Sequence, residues 1–306
     1  MNSVAVLLST YNGEKYLREQ INSILEQEGV NLDLYIRDDG SSDNTVNIIK
    51  EYTLSHKNVT GYKGSNLGVG NSFMGLLYRV PKQYDYYAFS DQDDYWLPNK
   101  LQKAVERICK NDEPVLYASN QTVVDQDMKE TGKRYISDPS IDYRQIVSSN
   151  MISGCTMVWN AQLCELLSED NRKPGKELLE CRIHDVWVAL AAAVIGTIVY
   201  DPKSYILYRQ HKDNVVGASG ISVISGWFEK MKSGKTRKGR SRICNEIIKC
   251  FEDKITDSEV KKTLIRYGHY SETIKSRIEL MGDKSVYDYS NETAIGLIIK
   301  IALGLF

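Results

Sequence analysis

Three carboxylates lie within four residues at Asp91-Gln92-Asp93-Asp94, directly behind the hydrophobic run Tyr86-Tyr87-Ala88-Phe89-Ser90. Carboxylates this close repel one another, so a site that keeps them ionised normally contains a metal ion or basic partners. The hydrophobic run is typical of a buried strand, which puts the acidic cluster at a strand end. The cluster therefore predicts a divalent cation that also binds a phosphorylated ligand.

Two further polar clusters follow predicted strands, at Thr10-Tyr11-Asn12 and at Asp38-Asp39. In open α/β sheets, ligands bind outside the carboxyl ends of the strands, so we expect the three clusters to converge. Any one aspartate could instead cap the next helix or shape a turn, but three such strand ends favour a site. A nucleotide fits this arrangement, because carboxylates accept hydrogen bonds from base and ribose while a metal neutralises the diphosphate.

Strands that alternate with helices are predicted to position these clusters. Continuous apolar runs predict strands at residues 4–8, 32–36, 59–62 and 86–90, each followed by a helical pattern. Less regular strand signals occur at residues 115–118, 155–159, 197–200 and 205–208, and a long helix is predicted at 184–195. This alternation indicates an α/β fold with a mainly parallel sheet. No GxxxxGK[ST] motif is present, and no GxGxxG motif follows the first strand, which disfavours nucleoside triphosphatases and nicotinamide dehydrogenases.

The composition is that of a globular protein. With 306 residues and 42% hydrophobic side chains, the chain can bury a full core, and its net charge of -1 gives no overall attraction to nucleic acid. Its six cysteines show neither a CxxC pair nor zinc-site spacing, which favours free thiols. The start lacks the features of a secretion signal, and no run of about 18 apolar residues predicts a spanning helix. We therefore expect a cytoplasmic protein.

The composition changes after about residue 222, where the chain becomes charged and helical. We predict an α/β domain at 1–221, with a nucleotide-binding part at about 1–119 and an acceptor-side part at about 120–221, and a helical region at 222–306. A basic stretch at 230–242 precedes an apolar tail at 294–306. The stretch could be a solvated segment, or it could act with the tail to hold the protein at the inner face of the plasma membrane. The tail could equally pack on the α/β domain or form a homodimer contact.

Four motifs in register resemble glycosyltransferase family 2: Ser9-Thr10-Tyr11-Asn12-Gly13, Asp38-Asp39-Gly40-Ser41-Ser42-Asp43, Asn66-Leu67-Gly68 and Ser90-Asp91-Gln92-Asp93-Asp94-Tyr95-Trp96. The resemblance covers roughly the first 220 residues. It implies the GT-A fold, a Rossmann-like sheet flanked by helices, here with a helical C-terminal extension. A further pattern is similar to bacterial rhamnosyltransferases of surface-polysaccharide synthesis: His184-Asp185-Val186-Trp187, Tyr208-Arg209-Gln210-His211 and Asn214-Val215-Val216-Gly217.

The resemblance also implies roles for individual residues. Those expected to bind the nucleotide are Thr10, Tyr11, Asp38, Asp39, Asn66, Gly68 and Asp91. The metal, Mn²⁺ or Mg²⁺, is expected to be bound by Asp93, supported by Asp91 and His211, whereas Asp94 could do no more than cap the next helix. The residues expected on the sugar and acceptor side are Gly154, Cys155, Trp187 and Arg209.

Asp185 matches the general base of the family, whose usual motif is Glu-Asp. His184 stands in the place of the glutamate, so no role of that glutamate is carried over. Asp185 could instead only cap the helix that follows it. The implied reaction is an inverting displacement, in which Asp185 takes the proton of the acceptor hydroxyl and a nucleoside diphosphate leaves beside the metal.

The resemblance implies transfer of one L-rhamnose from dTDP-L-rhamnose to a lipid-linked or oligosaccharide acceptor, with a UDP-hexose as the alternative donor. A processive synthase would carry several spanning helices and a QxxRW motif, and neither is present. A non-catalytic protein that binds sugar nucleotides would be expected to have damaged acidic clusters, yet Asp39, Asp91, Asp93 and Asp185 are all present. A metal-dependent nucleotidyltransferase would need basic residues around a triphosphate, for which there is no motif.

Overall fold

Strands and helices alternate along the first part of the chain, and helices follow in the second. The computed structural model describes residues 1–211 and 238–306. The strands are β1 (Ser3–Thr10), β2 (Asn31–Asp38), β3 (Val59–Lys63), β4 (Tyr86–Ser90), β5 (Tyr95–Trp96), β6 (Val115–Val124), β7 (Glu130–Lys133), β8 (Val158–Asn160) and β9 (Thr197–Arg209). The helices are α1 (Leu17–Leu25), α2 (Thr45–Ser55), α3 (Val69–Arg79), α4 (Lys100–Ile108), α5 (Tyr143–Ser149), α6 (Ala161–Ser168), α7 (Lys176–Cys181), α8 (His184–Ile195), α9 (Gly239–Phe251), α10 (Ser258–His269), α11 (Ile274–Met281), α12 (Lys284–Asp288) and α13 (Ala294–Ala302).

The strands form one sheet in the order β3-β2-β1-β4-β8-β6-β9-β5, with β7 on the edge of β6. The first four of these strands are parallel to one another. Antiparallel pairs enter with β8, and β6 and β9 are again parallel. The apolar runs of β1 and β4 are buried because helices cover both faces of the sheet, as parallel strands require. The predicted α/β class with a Rossmann-like parallel part is confirmed.

The register of the central strands brings the polar clusters together. Thr10 at the end of β1 pairs with Asp38 at the end of β2, and Leu8 pairs with Ser90 at the end of β4. The three strands therefore end at nearly the same level, and the loops that follow them share one edge of the sheet.

Other predicted elements differ from the structure at their boundaries. Helix α8 spans the predicted residues, but the strand expected at 155–159 is a 3-10 turn, Gly154–Thr156, followed by the short strand β8. The strands expected at 197–200 and 205–208 form the single strand β9, because shifts in its register with β6 beside Asn120 absorb the polar residues between them. Strands β5 and β7 are too short for a hydrophobic pattern to predict them.

The C-terminal helices pack on the α/β part, as one of the alternatives for the tail expected. Ile243 and Ile247 of α9 belong to the same buried cluster as Leu190 of α8, and Leu297 and Ile301 of α13 are buried in it too. The boundary expected near residue 222 and most of the basic stretch lie outside the described residues. Among the residues that are described, no helix is long and apolar enough to cross a membrane.

Candidate active site

A cavity of about 480 Å³ opens where β1, β2 and β4 end. Most of the predicted site residues line it, namely Thr10, Tyr11, Asp39, Asn66, Gly68, Asp91, Asp93, Gly154, Cys155 and Asp185. His211 contacts the acidic cluster from behind, and Asp38, Trp187 and Arg209 lie outside the cavity wall. The convergence predicted for the three clusters is therefore present.

Gln92 joins the loop after β1 to the acidic loop after β4. Its Oε1 accepts hydrogen bonds from the Thr10 hydroxyl at 2.6 Å and from the Tyr11 backbone N–H at 2.8 Å, and its Nε2 donates to the Tyr11 carbonyl at 3.2 Å. The Tyr11 side chain stays 49% exposed at the cavity mouth. Two walls of the cavity are thus connected by the one residue of the acidic cluster that carries no charge.

Asp39 lies in the cavity wall, where an arginine and two backbone N–H groups donate to its side chain. Arg37 donates to its Oδ1 at 2.5 Å, and both side chains are only 5% exposed. The backbone N–H groups of Leu67 and Gly68 donate to the same carboxylate at 2.8 and 3.0 Å. Gly68 has a φ of 79°, a left-handed conformation that suits glycine. Sequence reasoning missed Arg37, since a single arginine inside a strand gives no signal of its partner.

The nucleotide-binding role expected for Asp38 is corrected by its position. Its side chain is buried and accepts hydrogen bonds from the Gly40 N–H at 3.1 Å, from the Ser41 N–H at 3.0 Å and from the Ser41 hydroxyl. These bonds shape the turn after β2, so the Asp38 side chain is occupied within the protein, and of the two aspartates only Asp39 lines the cavity. Asp38 therefore positions its neighbour.

The acidic loop combines half-buried and fully buried carboxylates. Asp93 Oδ2 lies 2.9 Å from His211 Nε2, while ligand atoms of Asp91, Asp94 and Cys155 lie within 4.8 Å of one another. Asp94 is buried, and its Oδ2 has no hydrogen-bond partner among the described residues. Asp94 does not cap α4, whose N-cap is Asn99. The structure thus adds Asp94 to the side chains that could hold the predicted metal.

Burial and mutual repulsion change the proton affinities of this loop. Burial, with the charges of Asp93 and Asp185, raises the pKa of Asp91 to about 7, and burial also raises the pKa of Asp94. Burial raises the pKa of the Cys155 thiol as well, so it stays protonated and is a weak ligand. A bound divalent cation would relieve this repulsion, and the chemistry of the carboxylates suits Mn²⁺ or Mg²⁺.

Arg209 positions the acidic loop, and the acceptor-side role expected for it is corrected. Its buried guanidinium forms an ion pair with Glu19 and donates to the backbone carbonyls of Asp93 at 3.0 Å and Gln126 at 3.1 Å. Its backbone N–H donates to Asp94 Oδ1 at 3.3 Å. The guanidinium is therefore committed to protein groups behind the cavity.

Asp185 faces the cavity from the first turn of α8. The N-cap of that helix is Ile183, so the alternative that Asp185 only caps the helix is wrong. Burial raises the pKa of Asp185 to about 6, although backbone hydrogen bonds, including one from the Val186 N–H at 2.6 Å, and the charge of Arg182 favour its ionised form. A carboxyl with this pKa can accept a proton near neutral pH.

Trp187, two residues further along α8, lies in the core, which corrects the sugar-binding role expected for it. It is fully buried, with its ring centroid 5.8 Å from that of Phe251 on α9. Residues two apart on a helix point in nearly opposite directions, so a helix that directs Asp185 into the cavity directs Trp187 away from it.

His184 fills the floor of the cavity as a neutral ring. It stacks on Phe73 with ring centroids 3.9 Å apart, and burial lowers its pKa to about 3. A Cβ atom on Gly154 would lie 2.5 Å from His184 Nε2, so only glycine leaves room for the ring. The close approach of these two chain segments therefore explains why position 154 is a glycine.

The remaining wall contains residues to which the sequence assigned no role, among them Arg134, Tyr135, Asn150 and Tyr208. They come from the segment after β7, from the loop after α5 and from the end of β9. No motif marks Arg134, Tyr135 or Asn150, and the first two reach the wall through the pairing of β6 with β7.

Comparisons with known proteins identify the family. The family model described as Glycosyl transferase family 2 matches residues 5–160, just over half of the chain. The dTDP-rhamnosyl transferase RfbG of Shigella flexneri is 30% identical over 228 residues, which cover 69% of this chain and 74% of RfbG. The UDP-Glc:alpha-D-GlcNAc-diphosphoundecaprenol beta-1,3-glucosyltransferase WfgD of Escherichia coli is 26% identical over 160 residues, 52% of this chain and 61% of WfgD.

Solved structures agree on the fold. The crystal structure of S. aureus TarS 1-349 in complex with UDP-GlcNAc matches with a TM-score of 0.60 and 16% identity, and the match covers 98% of this chain and 81% of that one. Other matching structures contain Mn²⁺ beside a nucleotide or nucleotide sugar. The sequence motifs, the strand-end cavity and these matches agree, and the chain belongs to glycosyltransferase family 2, with the GT-A fold.

Proposed function

We propose that this protein is an inverting, metal-dependent glycosyltransferase that moves one L-rhamnose from dTDP-L-rhamnose to a hydroxyl group of a lipid-linked or oligosaccharide acceptor in bacterial polysaccharide biosynthesis. The observation that carries the proposal is that Asp185, the acidic loop and Asp39 line one cavity. This supports the proposal, because the candidate proton acceptor, the candidate metal-binding loop and the candidate nucleotide-binding wall surround one space. The similarity to RfbG supports rhamnose as the sugar.

Each wall of the cavity has a part in the proposed reaction. Thr10, Tyr11 and Asp39 hold the base and ribose. Asp93 and Asp91, with His211 and Asp94 beside them, would hold Mn²⁺ or Mg²⁺, which when bound supplies positive charge to the departing diphosphate. Asp185 accepts the proton of the acceptor hydroxyl as its oxygen bonds to the anomeric carbon and the bond to the nucleoside diphosphate breaks.

Replacement of the base tests the catalytic part of the proposal. General-base assistance is typically worth about 10²–10⁴ in rate, so Asp185→Asn is expected to keep nucleotide affinity and lose most turnover. Asp170→Asn, which neutralises an exposed aspartate paired with Lys173, is the matched control and is expected to leave both unchanged. Transfer by Asp185→Asn at close to the wild-type rate would show that another group is the base.

A donor panel tests the sugar nucleotide. Thermal shift and hydrolysis are measured with dTDP-L-rhamnose and with UDP-hexoses, each with Mn²⁺ and with Mg²⁺. A response to deoxythymidine nucleotides alone supports rhamnose, whereas a response to uridine nucleotides supports the alternative of a UDP-hexose donor. Binding of either nucleotide without hydrolysis or transfer would support the other alternative, a non-catalytic sugar-nucleotide-binding protein.

We also propose that the protein contacts the cytoplasmic face of the plasma membrane through α11 and α13. The outer faces of these helices carry Ile274, Ile278, Ile295 and Ile299, and Leu303 follows α13 directly. Each of these side chains is between 52 and 79% exposed, which is an unusually apolar surface for a soluble monomer. Such a surface would hold the enzyme near a lipid-linked acceptor. The name of the relative WfgD contains a compound of this kind, a sugar linked through a diphosphate to undecaprenol.

Point substitutions test this contact better than removal of the tail, whose Leu297, Ile301 and Phe306 are part of the core. The wild-type chain is expected to float with vesicles that contain anionic lipid, and a smaller fraction of the double variant Ile295→Ser with Leu303→Ser is expected to float. Absence of flotation by the wild-type chain contradicts the membrane contact. A dimer in size-exclusion chromatography that the same substitutions dissociate would instead assign the surface to a second copy of the chain.

A further inference from the structure

Arg134 is a cation in the cavity wall that forms no ion pair with any residue that the structure describes. It follows β7 directly, and its guanidinium lies 5.5 Å from the ring centroid of Tyr208 and 6.0 Å from that of Tyr135. Contacts of this kind orient a guanidinium while leaving its N–H groups for a ligand. No hydrogen bond of this side chain is formed within the described parts of the chain.

The charges of the other wall residues explain why this arginine matters. Four carboxylates line the cavity, those of Asp39, Asp91, Asp93 and Asp185. Asp39 is paired with Arg37 from behind the wall, but without a metal ion the other three would repel an anionic substrate. His184 is neutral, so Arg134 is the one cationic side chain among the described residues of the wall.

A planar guanidinium with unpaired N–H groups matches a phosphate group, to which it can donate two parallel hydrogen bonds. We propose that Arg134 binds a phosphate group of a substrate, a role that rests on the proposed glycosyl transfer. Two substrates could supply this group, the diphosphate of the sugar-nucleotide donor and a diphosphate that links the acceptor glycan to its lipid.

A series of nucleotides with increasing phosphate number tests the donor. Thymidine, dTMP and dTDP, and the corresponding uridine compounds, are titrated calorimetrically into the wild-type chain and into Arg134→Gln, with and without Mn²⁺. Loss of a hydrogen bond to a charged group predicts that the gain in affinity from nucleoside to diphosphate falls about 10- to 100-fold in the variant, while nucleoside affinity is unchanged. Arg134→Lys keeps the charge without the planar fork and is expected to be intermediate.

The matched control is Lys133→Gln, which removes the neighbouring exposed cation of β7 outside the cavity wall. It is expected to leave the whole series unchanged. Thermal melting of each variant verifies folding, and a deficit shared by all nucleotides, including the nucleosides, would mean that Arg134 supports the structure and would overturn the proposal.

The acceptor requires a separate measurement. The same glycan is compared on a prenyl diphosphate and on an alkyl chain without phosphate, and kcat/KM is measured for each. If the nucleotide series is unchanged but Arg134→Gln lowers kcat/KM only for the diphosphate-linked acceptor, the bound group belongs to the acceptor. If neither measurement changes, Arg134 binds no phosphate. Failure of the proposed function would look different, because the wild-type chain itself would then bind no nucleoside diphosphate.

Discussion

The raised pKa of Asp185 predicts the pH dependence of the reaction. A general base must be ionised, so a carboxyl with a pKa of about 6 makes kcat/KM fall as the pH drops through 6. At pH 5 the ionised fraction is about one tenth, so kcat/KM is expected to be about tenfold below its plateau. An aspartate with an ordinary pKa of about 3.9 would lose less than about 10% at pH 5. The two cases therefore differ by about tenfold at one easily reached pH.

The assay measures kcat/KM from pH 4.5 to 8 at saturating metal, with dTDP affinity followed at every pH. The affinity measurement is the control, because Asp91 has a pKa raised to about 7 and loss of the metal could also lower the rate in acid. The cause assigned to Asp185 is refuted if the rate stays at its plateau down to pH 5 while nucleotide remains bound. It is also refuted if the residual activity of Asp185→Asn shows the same acidic limb.

Three further tests concern the groups that support the cavity, namely His184, Arg209 and the Arg37–Asp39 pair. His184 is protonated below about pH 6.5 in the unfolded chain but only below about pH 3 in the folded chain, so the free energy of unfolding falls as the pH drops within this window. His184→Phe removes this pH dependence. In denaturant unfolding, the difference in free energy of unfolding between wild type and variant should therefore change by about 2 kcal/mol between pH 7 and pH 5. Arg209→Met should lower the free energy of unfolding by about 1–3 kcal/mol, because it leaves backbone carbonyls without a donor, and should weaken Mn²⁺ binding measured by calorimetry. Glu19→Gln, which removes only the charge of the ion-pair partner, should lower it by under about 1 kcal/mol. Equal effects of the two substitutions would contradict a positioning role for Arg209. Asp39→Asn leaves the charge of Arg37 buried without its partner and should lower the free energy of unfolding by about 3–5 kcal/mol in the same assay. Adding Arg37→Met should restore part of this stability. If it restores none, the lost ion pair is not the cause of the destabilisation.

Local patterns were sufficient to predict the elements that build the site. The apolar runs of β1 and β4 predict buried parallel strands because both faces of such strands are covered, and the helical spacing of residues 184–195 predicts α8 at its observed ends. Where the pattern is interrupted by polar residues, as between the two halves of β9, only the pairing with β6 shows that the strand continues.

The same limit applies to side-chain direction. Asp38 and Asp39 are indistinguishable as neighbours in a motif, yet the Asp38 side chain is hydrogen-bonded within the turn after β2, whereas that of Asp39 lines the cavity. Trp187 belongs to the same motif as Asp185 but points into the core. A motif therefore identifies a site without saying which of its residues reach the ligand.

The sequence by itself determined the α/β class, the convergence of polar strand ends and the acidic loop, because each depends on residue types at short spacing and on the common edge of parallel strands. Only the tertiary structure decided which groups surround those carboxylates. Arg209 reaches the acidic loop from 116 residues further along the chain, and Arg134 enters the cavity through the pairing of β7 with β6. Contacts over such separations depend on how whole elements pack, and local spacing contains no record of that packing.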